Sequence, residues 1–327
     1  MFIGHALLAF AVAALVADRR GWDRRRAAAI GVVAGAFATV PDVDVAYALV
    51  GLAEWQLEDG ALAASTAFWD ASRTVHRSVT HSLLVGAIAA PAFGLFAVRD
   101  PDRVRLARTV AVGLLASLAA LSFVADGPLI ALVAGLFAVS GALVAAVAAR
   151  SLPFSASSIA LAALWGLWSH PWGDFVTGAP PDWLYPLEAP ALTARITLHP
   201  DPTLHLLGAF AIELAVVWFA IAVVCRLTDR SVVASVDRRA AIGATYGLVA
   251  LAATPPTLAV SYHFVFSVLG VGLLCGAVRA PTPLDRSTAA ALPSPDAVLE
   301  VAHTAVAAVA AAIAAYGAVY LFVVVPT

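Results

Sequence analysis

The chain has 327 residues, of which 62% are hydrophobic and only 12% are charged, and its formal net charge is −2. A soluble globular domain is about 45–50% apolar, so this composition excludes an ordinary soluble protein and indicates a membrane protein. The charge balance offers no basic surface for nucleic acid, and we expect no nucleic-acid partner.

Long apolar blocks predict an all-α fold, a polytopic bundle of about ten transmembrane helices. A helix needs about 20 apolar residues to cross the hydrocarbon core of a bilayer, and the block 128–149 reaches that length. Prolines separate the blocks, because proline interrupts helical hydrogen bonding; Pro41 follows the second block and Pro153 precedes the sixth. The predicted helices are 2–17, 26–40, 80–98, 106–124, 128–149, 154–175, 203–225, 239–254, 256–278 and 297–325.

The arginines are distributed unevenly among the predicted loops. Sixteen of them lie in one alternating set of loops, and three, Arg73, Arg77 and Arg195, lie in the other. Loops rich in positive charge stay on the cytoplasmic side. The asymmetry predicts a multi-pass protein of the cell membrane with both termini outside.

Histidines and aspartates cluster at the ends of apolar segments. Ionisable groups beside hydrocarbon are costly and mark functional sites. In the predicted orientation every member of this set falls at the outer face, which favours one shared site. The set comprises His5, Asp42, Asp44, His76, His81, His170 and Asp174.

The spacing of these residues limits how they can meet. His170 and Asp174 are four residues apart and share one face of a helix. His76 and His81 are five apart and would diverge on a continuous helix. They converge only if His76 precedes a helix that His81 opens, and a cap at Thr80 would permit this.

Imidazole and carboxylate groups bind zinc and similar divalent metals. Asp42 and Asp44 point in opposite directions in an extended turn, so one is expected to bind metal directly and the other to orient a histidine. The donors exceed the three protein ligands of one catalytic zinc. One well-surrounded ion, or two or more ions, therefore remain open, and a two-metal site favours phosphoester cleavage.

Four motifs resemble, in their order, those of a known family. They are GHALLAF, VPDVD, HRSVTHSLL and SHPWGDFVT followed by WLYP. Over residues 1–190 the chain resembles the membrane-bound, metal-dependent hydrolases, also called LexA-binding, inner-membrane-associated hydrolases, which are distantly similar to zinc-dependent phospholipases C and related nucleases. The resemblance implies metal ligands at His5, Asp42, His76, His81, His170 and Asp174. The chain departs from the family pattern at Ser78, after HR, and at Pro171, after SH.

The resemblance also implies a division of the chain. Residues 1–190 would form the hydrolase-like membrane domain, with an inserted helix pair at about 106–149. Residues 191–327 would add C-terminal transmembrane helices without an assigned role.

Two long segments, 42–79 and 176–202, are predicted to lie on the outer side of the membrane. The first is expected to form interfacial helices, and the second reads as an ordered, proline-rich loop. Aromatic residues are enriched where a membrane meets water. The residues expected in such a belt are Trp168, Trp172, Trp183 and Tyr185.

The leading hypothesis is a membrane-bound, metal-dependent hydrolase that acts at the outer face on a phosphoester or a lipid-linked substrate, with zinc as the expected metal. A bound metal lowers the pKa of its water from about 15.7 towards 7. Arg77 is expected to stabilise developing negative charge, and Asp44 or Asp174 to transfer a proton.

Two other functions remain open. A transporter or metal-binding permease would hold its site near the bilayer midplane, where Glu213 and His263 are the available polar groups. A non-catalytic membrane scaffold with a structural metal would need the same ligands.

Overall fold

The computed structural model describes residues 2–52, 64, 67–68, 71, 75–177, 180–187, 194–258, 260–277 and 295–325. The chain divides into two compact units, Met1–Ile196 and Thr197–Thr327. The predicted all-α membrane fold is confirmed. The interfacial helices expected within 42–79 fall largely outside the described residues, and the functional division at residue 190 stays a prediction.

The described part of the first unit is built from seven α-helices. Two 3₁₀ turns, Pro41–Tyr47 and Val79–His81, lie between helices. The helices are α1 (Phe2–Arg19), α2 (Arg24–Ala38), α3 (Ala48–Gly51), α4 (Leu83–Leu95), α5 (Val104–Asp126), α6 (Pro128–Ser151) and α7 (Ala156–Thr177).

The second unit has three described α-helices and one long 3₁₀ helix. The α-helices are α8 (Pro202–Leu227), α9 (Tyr262–Ala277) and α10 (Pro295–Val319), and the 3₁₀ helix is Arg238–Leu251. A buried aromatic group lies at its centre, where the rings of Phe264 and Tyr316 are 5.0 Å apart between centroids.

Four helices of the described chain are long and apolar enough to cross a membrane. They are α5, α6, α8 and Asp296–Val324. The pair Arg24–Ala38 and Pro41–Val50, bent by 40°, would be a fifth span. The predicted count of about ten was therefore loose, because apolar composition does not distinguish a short helix buried by its neighbours from a full span.

An aromatic stack fills the core of the first unit. Phe93 of α4 lies between Phe37 of α2 and Phe137 of α6, with centroid distances of 5.6 and 5.9 Å. All three rings are buried. Burying a large side chain contributes about 1.5–3 kcal/mol, so this stack holds three helices at fixed positions.

Close approach of α7 to α2 depends on a glycine. A Cβ atom at Gly166 would come within 2.5 Å of the Ala34 carbonyl oxygen, so any side chain here would push the helices apart. One turn later, His170 Nδ1 lies 2.7 Å from the Ala38 carbonyl oxygen. The small residue at 166 thus places the polar end of α7 against the end of α2.

The predicted orientation can be tested by labelling cysteines in intact cells. In a background with Cys225 and Cys275 replaced by Ala, Val233→Cys should be shielded from a membrane-impermeant thiol reagent, and Thr197→Cys should be labelled. Both positions are exposed, so access across the membrane decides the result. Labelling at 233 with protection at 197 would invert the orientation.

Candidate metal centre

Four separate segments deliver polar side chains to one place. His5 lies in the first turn of α1, and Asp42 lies in the 3₁₀ turn after α2. His76 and His81 lie in the turn before α4, and His170 and Asp174 lie in the last turns of α7. The structure brings together all six residues predicted as metal ligands: His5, Asp42, His76, His81, His170 and Asp174.

These six residues form two adjacent groups. In each group the ligand atoms lie within 4.8 Å of one another. One group is His5, His170 and Asp174, and the other is Asp42, His76 and His81. The two groups are in contact through His170, whose Nε2 is 3.0 Å from His81 Nε2 and 3.4 Å from Asp42 Oδ1.

Hydrogen bonds at Nδ1 orient two of the imidazoles. His170 Nδ1 donates to the Ala38 carbonyl oxygen at 2.7 Å, because a carbonyl can only accept. His76 Nδ1 donates in the same way to Asp44 Oδ1 at 2.8 Å. In the neutral rings Nε2 therefore carries a lone pair, which is the arrangement of a metal-binding histidine.

Thr80 fixes the third imidazole. Its hydroxyl lies 2.8 Å from Asp44 Oδ2 and 2.8 Å from His81 Nδ1. The ionised carboxylate can only accept, so Thr80 donates its single hydrogen to Asp44 and accepts one from His81 Nδ1. His81 Nε2 is then left with a lone pair that faces the cluster.

Burial supports the neutral form of His81. It lowers the pKa of His81 below its usual value, although the neighbouring Asp174 carboxylate acts in the opposite direction. A neutral imidazole is the form that binds a metal.

The donor atoms fit a divalent cation. Asp174 Oδ2 is buried and makes no hydrogen bond within the described chain, yet it lies 3.2 Å from His81 Nε2 and 3.6 Å from His170 Nε2. Lone pairs that face one another at these distances repel unless a positive charge lies among them. Nitrogen ligands of a tetrahedral zinc are about 3.3 Å apart, given Zn–N bonds of roughly 2.0–2.1 Å, and the observed separations bracket that value.

Asp44 and Arg77, two of the predicted catalytic residues, contact the cluster differently. Asp44 is fully buried and accepts from His76, Thr80 and the backbone N–H of Arg77. Arg77 Nη2 donates to Asp174 Oδ1 at 3.0 Å, and Nη1 donates to the Asp174 carbonyl oxygen at 3.3 Å. Asp44 thus contacts three neighbouring groups, and Arg77 is bound to Asp174, the third predicted catalytic residue.

The backbone of Arg77 is strained. Its φ is 73°, a left-handed conformation that costs a non-glycine residue roughly 1–2 kcal/mol. Such strain is kept at sites where the surroundings impose it. Here the Arg77 N–H contacts Asp44 and the Arg77 carbonyl oxygen accepts from the Asp182 N–H at 2.9 Å.

One family model matches this chain over most of its length. The model described as YdjM inner membrane protein matches residues 1–236, most of the chain and every residue of the cluster. This chain belongs to the YdjM inner membrane protein family. No curated protein and no solved structure matches it significantly.

Residues 180–187 of this YdjM-family chain lie against the 3₁₀ turn Val79–His81 and the start of α4. We call this segment the strap. The Leu83 N–H donates to the Trp183 carbonyl oxygen at 2.9 Å, and Ser82 Oγ donates to the Tyr185 carbonyl oxygen at 2.9 Å. Trp183 also packs against Phe175 of α7, with ring centroids 5.5 Å apart.

The expected aromatic belt is therefore wrong in part. Trp183 and Tyr185 are buried, because the strap packs them into the unit. Trp168 and Trp172 are exposed, as expected of residues at a membrane boundary. The WLYP motif lies in the strap, but its aromatic residues fit a membrane boundary and a buried position equally well.

Local structure around the motifs also differs from expectation. Ser82, not Thr80, caps α4, and its hydroxyl accepts from the Val85 N–H. Thr80 is instead used in the bridge between Asp44 and His81. Helix α7 continues through Pro171, and Ser78 has a φ of −92°, which needs no glycine.

Proposed function

We propose that this YdjM-family protein is a membrane-bound hydrolase that depends on a divalent metal, with zinc as the expected ion. The substrate class is a phosphoester or a lipid-linked molecule, and the reaction takes place at the outer membrane face. The observation that carries the proposal is the convergence of six donors from four segments, with Nε2 lone pairs facing carboxylates. One ion, or two ions in the two adjacent groups, would satisfy them.

The side chains of the cluster differ in their exposure to solvent, and a substrate would approach from the exposed side. The side chains of His81 and His170 are fully buried, whereas Asp42 is 13% exposed and His76 and Arg77 are each 15% exposed. These three residues are the partly exposed members of the site and would form its mouth. A substrate would reach the donors past them.

Each residue then has a distinct role. When bound, a zinc ion supplies Lewis acidity and makes its water acidic near neutral pH. Arg77, at the mouth, is placed to stabilise negative charge on phosphate oxygens with its planar set of donors. Asp44 or Asp174 would transfer the proton, and both carboxylates also contact histidines of the cluster.

The proposal is tested on purified full-length protein. We expect stoichiometric bound metal and hydrolysis of a phosphodiester analogue, with activity lost on chelation and regained when zinc is returned. The assay measures product release across phosphoester, carboxylic-ester and amide panels. Arg77→Gln, in the same assay, should retain metal within about tenfold of wild type and lose 10²–10³-fold in rate, roughly the cost of removing one oxyanion donor.

A fully metallated protein that hydrolyses none of these panels would reject the hydrolase. A structural metal, the second candidate, would then lead, and the burial of His5, His81, His170 and Asp174 favours it. The transporter or metal-binding permease stays an untested alternative, and uptake of metal into proteoliposomes would support it.

A further inference from the structure

A cavity of about 590 Å³ lies where α4 ends, α5 begins and α6 ends. Its volume is within the range of roughly 300–1,000 Å³ found for small-ligand sites. The cavity is separate from the metal centre. His81 lies two residues before α4, whereas the cavity is lined by residues that follow this helix, about 20 Å away along its 13 residues.

The described lining of this cavity is basic. It includes Arg99, Arg108 and Arg150 and no Asp or Glu. Arg99 Nη2 donates to the carbonyl oxygens of Ala149 and Leu152, which lie at the C-terminal end of α6. Arg108 and Arg150 make no ion pair within the described chain, and both side chains are exposed. The cavity therefore presents two uncompensated guanidinium groups.

The position of the cavity relates these charges to a membrane boundary. Helices α5 and α6 each qualify as membrane spans and are joined by a single residue, Gly127. The start of α5 and the end of α6 thus lie at the same boundary. The remaining walls are apolar, with Phe96, Val104 and Ala146 among them.

The cavity is continuous with an apolar outer surface. Leu143 and Val147, which follow the lining residues Ala142 and Ala146 on α6, are 61% and 52% exposed. Apolar side chains exposed on a spanning helix face lipid. A ligand with a charged head and an apolar tail would therefore satisfy both parts of this surface.

We propose that this cavity binds the phosphate headgroup of an anionic phospholipid, with Arg108 and Arg150 contacting the headgroup and the acyl chains lying along α6. Basic pockets between transmembrane helices recognise such headgroups through charge. The apolar continuation favours a lipid over a free phosphate compound. This site does not depend on the proposed hydrolase activity.

The test is native mass spectrometry of the full-length protein in detergent, titrated with phosphatidylglycerol or phosphatidylcholine. We expect phosphatidylglycerol to be retained at least tenfold more strongly. The double variant Arg108→Gln/Arg150→Gln should lose about tenfold to thirtyfold of that retention, given the contribution of each arginine near anionic lipid. Arg105→Gln is the matched control, because Arg105 is exposed on α5 and does not line the cavity.

Three results would overturn the lipid site. They are equal retention of both lipids by the wild type, an equal loss in Arg105→Gln, and complete displacement of the lipid by millimolar glycerol phosphate. The last result would assign the cavity to a soluble phosphate compound. The comparison of lipids on wild-type protein decides the question even if the double variant fails to fold.

Discussion

Replacing His170 with Ala should lower the affinity for zinc by more than about a hundredfold, since loss of a ligand exceeds the 10–100-fold typical of its outer partners. His170 Nε2 contacts both groups of the cluster, lying within 3.6 Å of His81, Asp42 and Asp174. Its removal would take away a ligand atom that contacts both the Asp42 and the Asp174 carboxylates. The measurement is bound metal per protein after equilibrium dialysis against buffered zinc.

His263→Ala is the control for this prediction. His263 is an exposed histidine on α9, in the other compact unit, and its loss should leave the bound metal unchanged. Thermal melting of both variants would separate loss of metal from loss of fold. Unchanged zinc binding by a folded His170→Ala protein would contradict the metal centre.

Thr80→Val should weaken zinc binding by about 10–100-fold while retaining the fold. Valine matches threonine in shape but can neither donate to Asp44 nor accept from His81 Nδ1. The His81 ring then loses the partner that keeps its Nε2 unprotonated. Metal titration of the purified variant measures the effect.

Thr80→Ser separates hydrogen bonding from packing. Serine keeps the hydroxyl and loses only a methyl group, so it should bind zinc within a few-fold of wild type. If Thr80→Ser weakens binding while Thr80→Val does not, the methyl contact matters and the hydroxyl bridge does not. Wild-type affinity in both variants would remove Thr80 from the site.

Helix positions were predictable because apolar blocks are long, but helix ends depend on single residues. The second helix ends at Ala38 and not at residue 40, because Pro41 opens a 3₁₀ turn. The predicted helix 80–98 begins at Leu83, since Ser82 provides the cap. Hydropathy also could not separate a helix such as α4, with 13 residues, from a true span.

The candidate ligands could be named from residue type and motif order, but their supports could not. The Ala38 carbonyl that orients His170 is a backbone group and leaves no trace in the sequence. Gly173 gave no signal either, although a Cβ atom there would lie 2.5 Å from the His5 ring. The left-handed backbone of Arg77 arises from contacts with Asp44 and Asp182, which are distant in sequence.

The distribution of the donors along the chain has a consequence for biogenesis. The first donor is His5 and the last is Asp174, so the cluster cannot be complete until α7 has left the ribosome. At synthesis rates of about 5–20 residues per second, this interval is on the order of ten seconds or more. During that time His5 of α1 and Asp42 of the turn after α2 are part of the growing chain without their partners His170 and Asp174.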